Sequence, residues 1–131
     1  MKSHFKQETL LVELPIAGKI RTLKEKLEYY SELLKEWTIT EIGFKTDLGS
    51  VPQLFQWLIP KDGKASYPFI NHDKMYREGK HPQKICDDVL KEGCKATGVA
   101  WWRRVVIREG LRVGGFVAYN NYRKNDKKEI R

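Results

Sequence analysis

A chain of 131 residues with 40% hydrophobic and 32% charged side chains can bury one core without covalent staples, and its composition is that of an ordinary globular domain. No apolar run approaches the roughly 20 residues that cross a bilayer, and the opening Met1-Lys2-Ser3-His4-Phe5-Lys6 lacks the apolar centre of a signal peptide; the expectation is a protein that stays in the cytoplasm where it is made, or leaves it by a route other than secretion. A net charge of +8 points to acidic surroundings, whether nucleic acid, anionic lipid or an acidic protein, although a solvated basic tail accounts for part of it.

Residues 8–20 begin the pattern. Leu10, Val12 and Leu14 alternate with their neighbours up to Pro15, which predicts a strand. Residues 21–37 read two ways. Leu23, Leu27, Tyr30, Leu34 and Trp37 fall at helical spacing, while Leu23, Leu27 and Tyr29 also fit one face of a strand; periodicity alone favours helix. Trp37 to Ile42 alternates and is β-branched, so it predicts a strand that Gly43 ends.

Residues 43–52 are dense in turn formers. Asp47 or Ser50 would cap a short helix over 51–58, with Pro52 in its first turn. A second helix is predicted over 66–78, capped by Ser66, and a third over 82–96, closed by Gly98. A longer one follows from Val99 to Tyr119, interrupted at Gly110, Gly114 and Gly115. Residues 1–122 thus make a single domain, and 123–131 a basic tail that should fray. Cys86 and Cys94, about 12 Å apart along one helix, are too distant for a disulfide and form no zinc pattern. They read as reduced thiols.

The chemistry concentrates in Phe69-Ile70-Asn71-His72-Asp73-Lys74-Met75-Tyr76. His72 and Tyr76, four apart, share a helix face with Asp73 beside them. The short break at 79–82 makes the flanking helices antiparallel. Reflection about residue 80 sets Asp88 opposite His72 and Asp87 opposite Asp73. A carboxylate accepting the Nδ1 proton of His72 would fix its tautomer, leaving the other nitrogen to deprotonate water or a hydroxyl. Alternatively Asp73, with loop oxygens from 43–50, would hold a hard cation such as Ca²⁺. The same pair is also explained as a buried hydrogen-bonded lock, and Thr46 and Asp47 as turn and cap residues.

Trp101-Trp102-Arg103-Arg104 suits a membrane interface or an anionic partner, and equally a core and rim pair with solvated arginines. Basic residues are dispersed, and no helix-turn-helix, zinc-finger or RNA-binding motif is present, so sequence-specific nucleic-acid binding is not expected. There is no phosphate loop and no GxSxG elbow.

Gly43-Phe44-x-Thr46-Asp47-x-x-Ser50-Val51-Pro52, then His72-Asp73-x-x-Tyr76-Arg77, then Asp87 before an apolar helix ending in Gly98-Val99, resembles the family known as domain of unknown function 1353, small proteins encoded mainly by bacteriophages and prophages. The likeness runs from about Leu23 to Gly115, with Gly49 and Cys86 where the family has alanine. It implies paired strands rather than a helix over 21–37. The fold expected is therefore α+β: a small N-terminal antiparallel β-sheet, then a helical hairpin and a long C-terminal helix. His72-Asp73-x-x-Tyr76 is also similar to the helix motif of secreted-type phospholipases A2. That likeness would make His72 the base, Asp73 a calcium ligand and Asp87 or Asp88 the residue that steadies His72, though the flanking cysteine and glycine-rich calcium loop are missing.

Three functions follow as expectations. One is a phage-encoded hydrolase acting on an ester or amide of envelope lipid or cell-wall material, with His72, Asp87 and Asp73 catalytic. Thr46, Asp47, Ser50, Tyr76 and Asp88 would then line the site, and Asp73 with Asp47 would be the metal ligands. The second is a non-enzymatic virion or tail-assembly protein, and the third a host-interaction protein that binds an acidic target. In each the chain is made in the host cytoplasm and meets an acidic surface, either anionic lipid or a phage or host protein.

Overall fold

The computed structural model describes residues 1–7, 12–13, 20–46, 64–114 and 116–130. Among the described residues six short strands come first: β1 (His4–Phe5), β2 (Val12–Glu13), β3 (Arg21–Leu23), β4 (Leu27–Ser31), β5 (Glu36–Thr40) and β6 (Lys45–Thr46). They form two antiparallel sheets of three strands, ordered β1-β4-β5 and β2-β3-β6. The strand expected over 8–20 is represented by β2; the rest of that stretch, and the helix expected over 51–58, lie outside the described residues.

Helical spacing over 21–37 loses to alternation. Leu27, Tyr29 and Ser31 point inward along β4, and Thr38 and Thr40 do so along β5. A strand gives these residues cross-strand partners that a lone helix would not: Tyr29 lies opposite Thr38 and Tyr30 opposite Trp37, with the Tyr30 and Trp37 rings 5.5 Å apart. The turn that joins β4 to β5 holds Lys35 at φ 54°, a conformation the hairpin imposes on a side chain that ordinarily avoids it.

Four α-helices follow among the described residues: α1 (Tyr67–Glu78), α2 (Gln83–Ala96), α3 (Trp101–Gly114) and α4 (Phe116–Ile130). A 3₁₀ turn over Lys64–Ser66 leads into α1; Ser66 takes the N-cap position but makes no side-chain cap, and the first turn relies on Pro68 instead. Nine of the twelve residues of α1 are buried, because the first sheet, α2 and α4 all pack on it. Gly79, at φ 69°, ends α1 in a left-handed turn whose N–H returns to the Met75 carbonyl.

Close approach of α1 and α2 depends on Gly93: a Cβ there would lie 3.1 Å from the Pro68 ring. On the other side Glu92 ties α2 to the hairpin, accepting from the Tyr29 hydroxyl at 2.7 Å and the Leu33 N–H at 2.8 Å. The single core runs from Phe5, Leu23, Leu27 and Tyr29 through Phe69, Tyr76, Val89 and Leu90 to Ile107 and Leu111.

The architecture is α+β, and two details differ from expectation. The strands divide into two small sheets. The C-terminal segment is helical as α3 and α4, on either side of residue 115, which lies outside the described residues. Residues 123–130, expected as a tail, continue α4, and Arg123 anchors them by donating to the Arg77 carbonyl at 2.8 Å while lying over the Tyr119 ring.

Cys86 and Cys94 are free and buried. Burial pushes both thiols up to about 12, with the neighbouring Asp87 charge adding to the effect at Cys86. Iodoacetamide at about pH 8 is expected to leave both unmodified in the native protein and to label both in urea. Rapid labelling of the native protein would show that the α2 packing is wrong.

Candidate functional site

The break between α1 and α2 makes an antiparallel hairpin, and its inner faces meet around one carboxylate. Asp87 Oδ1 lies 2.8 Å from His72 Nε2 and accepts the Tyr76 hydroxyl at 2.6 Å. The His72 and Tyr76 rings, one helical turn apart, have centroids 4.1 Å apart. His72 is 0% exposed and Asp87 4%. Burial first, then the Asp87 charge and hydrogen bond, push the Tyr76 phenol far above its ordinary value, so it remains a donor throughout the neutral range.

It is Nε2, not the expected Nδ1, that faces Asp87. The acceptor stands on the neighbouring helix, and only the distal nitrogen of the ring reaches it.

The reflection of the hairpin is off by one residue. Asp87, not Asp88, meets His72, because Asp87 shares the buried face of α2 with Leu90 and Cys94. A turn of 100° carries Asp88 out of that face. Asp88 instead binds Arg108 of α3, with contacts of 3.0 and 3.2 Å. It braces α2 against α3 and does not belong to the His72 cluster.

A second cluster gathers on Asp73. Thr46, at the end of β6, donates its hydroxyl to Asp73 Oδ2 at 2.6 Å. Arg77, four residues on, places a guanidinium nitrogen 3.0 Å from the same oxygen. Tyr122 of α4 donates to Oδ1 at 3.4 Å. The Arg77 guanidinium also donates to the Lys45 carbonyl and lies over the Phe44 ring, 4.8 Å from its centre. One carboxylate thus joins β6, α1 and α4. Arg77 and Tyr122 were not among the expected site residues; the i, i+4 spacing of Asp73 and Arg77 is a signal for the first, whereas nothing local marks Tyr122.

These residues do not fit a calcium site. Asp73 Oδ2 already carries a hydroxyl donor and a guanidinium, and a cation placed there would meet the arginine's charge. Among the described residues no group of three or more His, Cys, Asp or Glu side chains is placed to hold a metal. Asp47, the other expected ligand, and Ser50 lie outside the described residues; Asp47 directly follows Thr46 in the chain.

Beside the first cluster a cleft of about 430 Å³ opens between α2 and α3, lined by Gln83, Lys84, Asp87, Arg108 and Arg112. Asp87 is therefore shared: one oxygen holds the buried pair, and the residue also forms part of the cleft wall.

The two clusters lie in the part of the chain that matches a family described as "Protein of unknown function (DUF1353)", over residues 21–108. The chain belongs to this family. No curated protein and no solved structure matches it. Thr46, His72, Asp73, Tyr76, Arg77, Asp87 and Arg108 all fall inside the matched span of the DUF1353 family, while Tyr119, Tyr122 and Arg123 of α4 lie beyond it. The family description names no activity, so any chemistry has to be argued from the two clusters.

Proposed function

We propose that this chain is a small phage-encoded hydrolase in which His72 is the general base and Asp87 its orienter. Its substrate would be an ester or amide of envelope lipid or cell-wall material. The observation that carries this reading is the single Asp87 oxygen that takes both His72 Nε2 and the Tyr76 hydroxyl inside the core. Such a network is a costly way to hold two helices together, since apolar residues of similar volume often do so as well or better. An imidazole held in one tautomer by a carboxylate, which is in turn fixed by a phenol, is what a base needs.

In the proposed step, the His72 imidazole takes a proton from water as the water oxygen bonds to the acyl carbon. The imidazolium so formed is stabilised by Asp87. Collapse of the tetrahedral intermediate breaks the bond to the leaving oxygen or nitrogen, which takes the proton back from His72. The products are the acid and the alcohol or amine. Because His72 carries no exposed surface, this reading requires the site to open before substrate reaches the ring, as in enzymes whose closure excludes water.

That same full burial favours a second reading. In it the cluster is a structural brace inside a non-enzymatic virion or tail-assembly protein.

One experiment separates them. The purified chain is assayed for fatty-acid release from phosphatidylglycerol vesicles, for cleavage of p-nitrophenyl butyrate, and for release of fragments from cell-wall sacculi. His72→Gln keeps a donor for Asp87, so its circular dichroism should stay native. The expected result is wild-type hydrolysis of at least one substrate, reduced in His72→Gln by about 10²- to 10⁴-fold. Equal rates in the two proteins, or no hydrolysis by either, would leave the brace.

A further inference from the structure

Helix α3 has an outer stripe that the reading above does not use. Trp101 and Val105 are exposed, Trp101 at 68%. With Arg108 and Arg112 they follow the spacing i, i+4, i+7, i+11, which keeps all four on one side of the helix. The Arg112 side chain is 72% exposed, and Val106 is exposed on the flank of the stripe. The acids nearby are few: Asp88 holds Arg108, and Glu109 lies 3.8 Å from both arginines. Arg108 and Arg112, with Lys84 of α2, also line the cleft that Asp87 closes.

We infer that this face of α3 docks on a bilayer containing anionic lipid, with the cleft receiving an acidic headgroup. An exposed tryptophan and valines beside arginines on long stems is the chemistry of a helix lying in a membrane interface. The apolar groups enter below the headgroups and the guanidinium groups stay at their level. The chain's net charge of +8 draws it to such a surface. No helix among the described residues is long and apolar enough to cross a membrane, so the docking is peripheral. The inference deepens the hydrolase reading and rests on it for its purpose, since it sets Asp87, and His72 behind it, beside the headgroup site. The docking itself is measured without catalysis.

The test is sedimentation of the full chain with vesicles of phosphatidylglycerol and phosphatidylcholine, compared with pure phosphatidylcholine, at rising salt. Binding is expected only with phosphatidylglycerol and should fall with salt. Arg112→Glu should weaken it at least about tenfold and Trp101→Ala by about fivefold to tenfold. Lys26→Glu, an exposed site on the sheet side, should change it much less, and His72→Gln not at all. Equal binding to both lipids, or binding that survives the Trp101 and Arg112 substitutions, overturns the inference. So does an equal loss in Lys26→Glu, which assigns the attraction to overall charge. Retention on polyglutamate that Trp101→Ala weakens, with vesicles left unbound, also overturns it and assigns the face to an acidic protein.

The two readings fail separately. Vesicle binding without hydrolysis removes the enzyme and keeps the docking face. Cleavage of p-nitrophenyl butyrate without vesicle binding does the reverse.

Discussion

Asp87→Ala is expected to destabilise the protein by about 3–5 kcal/mol, a large part of the total for a domain of this size. Asp87 Oδ1 is the acceptor for two buried donors, His72 Nε2 and the Tyr76 hydroxyl. Removing it takes this acceptor from two side chains buried between α1 and α2, and each then bears much of its desolvation cost. Asp87→Asn keeps an oxygen at the same place, so its cost should be nearer 1–2 kcal/mol. Urea unfolding of the two variants measures this directly. A loss in Asp87→Ala no larger than in Asp87→Asn would mean that the shared hydrogen bonds contribute little.

The pair also bears on function, because asparagine conserves the shape of the brace while removing its charge. If His72 is a base, Asp87→Asn leaves its imidazolium without a counter-charge, and hydrolysis should fall by about 10²- to 10⁴-fold. If the cluster is only a brace, Asp87→Asn should do whatever the wild type does. Tyr76→Phe supplies the control. It removes one of the two donors to Asp87, costs about 1 kcal/mol, and should couple energetically to Asp87→Asn because the two residues share a bond.

Much of this constellation is legible in the sequence, for an identifiable reason. His72, Tyr76 and Asp87 lie on two helices joined by a short break, and both helices carry strong local signals: Pro68 at the start of one, Gly79 and Pro82 between them, Gly98 after the second. Their approximate pairing follows from antiparallel packing. What arithmetic on residue numbers lacks is rotation of each helix about its own axis, and a one-residue error there is enough to exchange Asp87 for Asp88. The resemblance to the DUF1353 family supplies the correct aspartate. It also supplies the strands over 21–37, where Leu23 and Leu27 fit a helix with Tyr30 as well as a strand with Tyr29, and the decision rests with partners distant in sequence.

Other features are set by tertiary contacts alone. Nothing near Tyr122 announces that its hydroxyl reaches Asp73, 49 positions earlier, and nothing near Arg123 announces that it packs against the turn at Gly79. There a Cβ would lie 2.3 Å from the guanidinium. The basic composition of 123–131 reads as a tail because charge patterning carries no information about which arginine finds a carbonyl to bind.

Asp73→Ala is the companion to the Asp87 substitution, with an expected loss of about 3–4 kcal/mol. The Asp73 carboxylate joins three elements through Thr46, Arg77 and Tyr122, so its removal strands a buried hydroxyl and takes away one of the polar contacts that hold α4, beside those of Tyr119 and Arg123. Arg77 softens the effect, since its side chain is partly exposed and water can take over some of its donors. Thr46→Val removes only one donor and keeps the shape, for an expected cost of about 1–2 kcal/mol. Hydrogen exchange should show the difference in place as well as size: Asp73→Ala should expose amides of α4 along with β6, whereas Thr46→Val should affect β6 alone. The same variants decide the role of this carboxylate. An ion-paired Asp73 predicts that millimolar Ca²⁺ leaves the melting temperature of the wild type unchanged. A calcium-dependent rise that vanishes in Asp73→Asn would show instead that the carboxylate exchanges Arg77 for a cation, because a ligand that binds only the folded state must raise its stability.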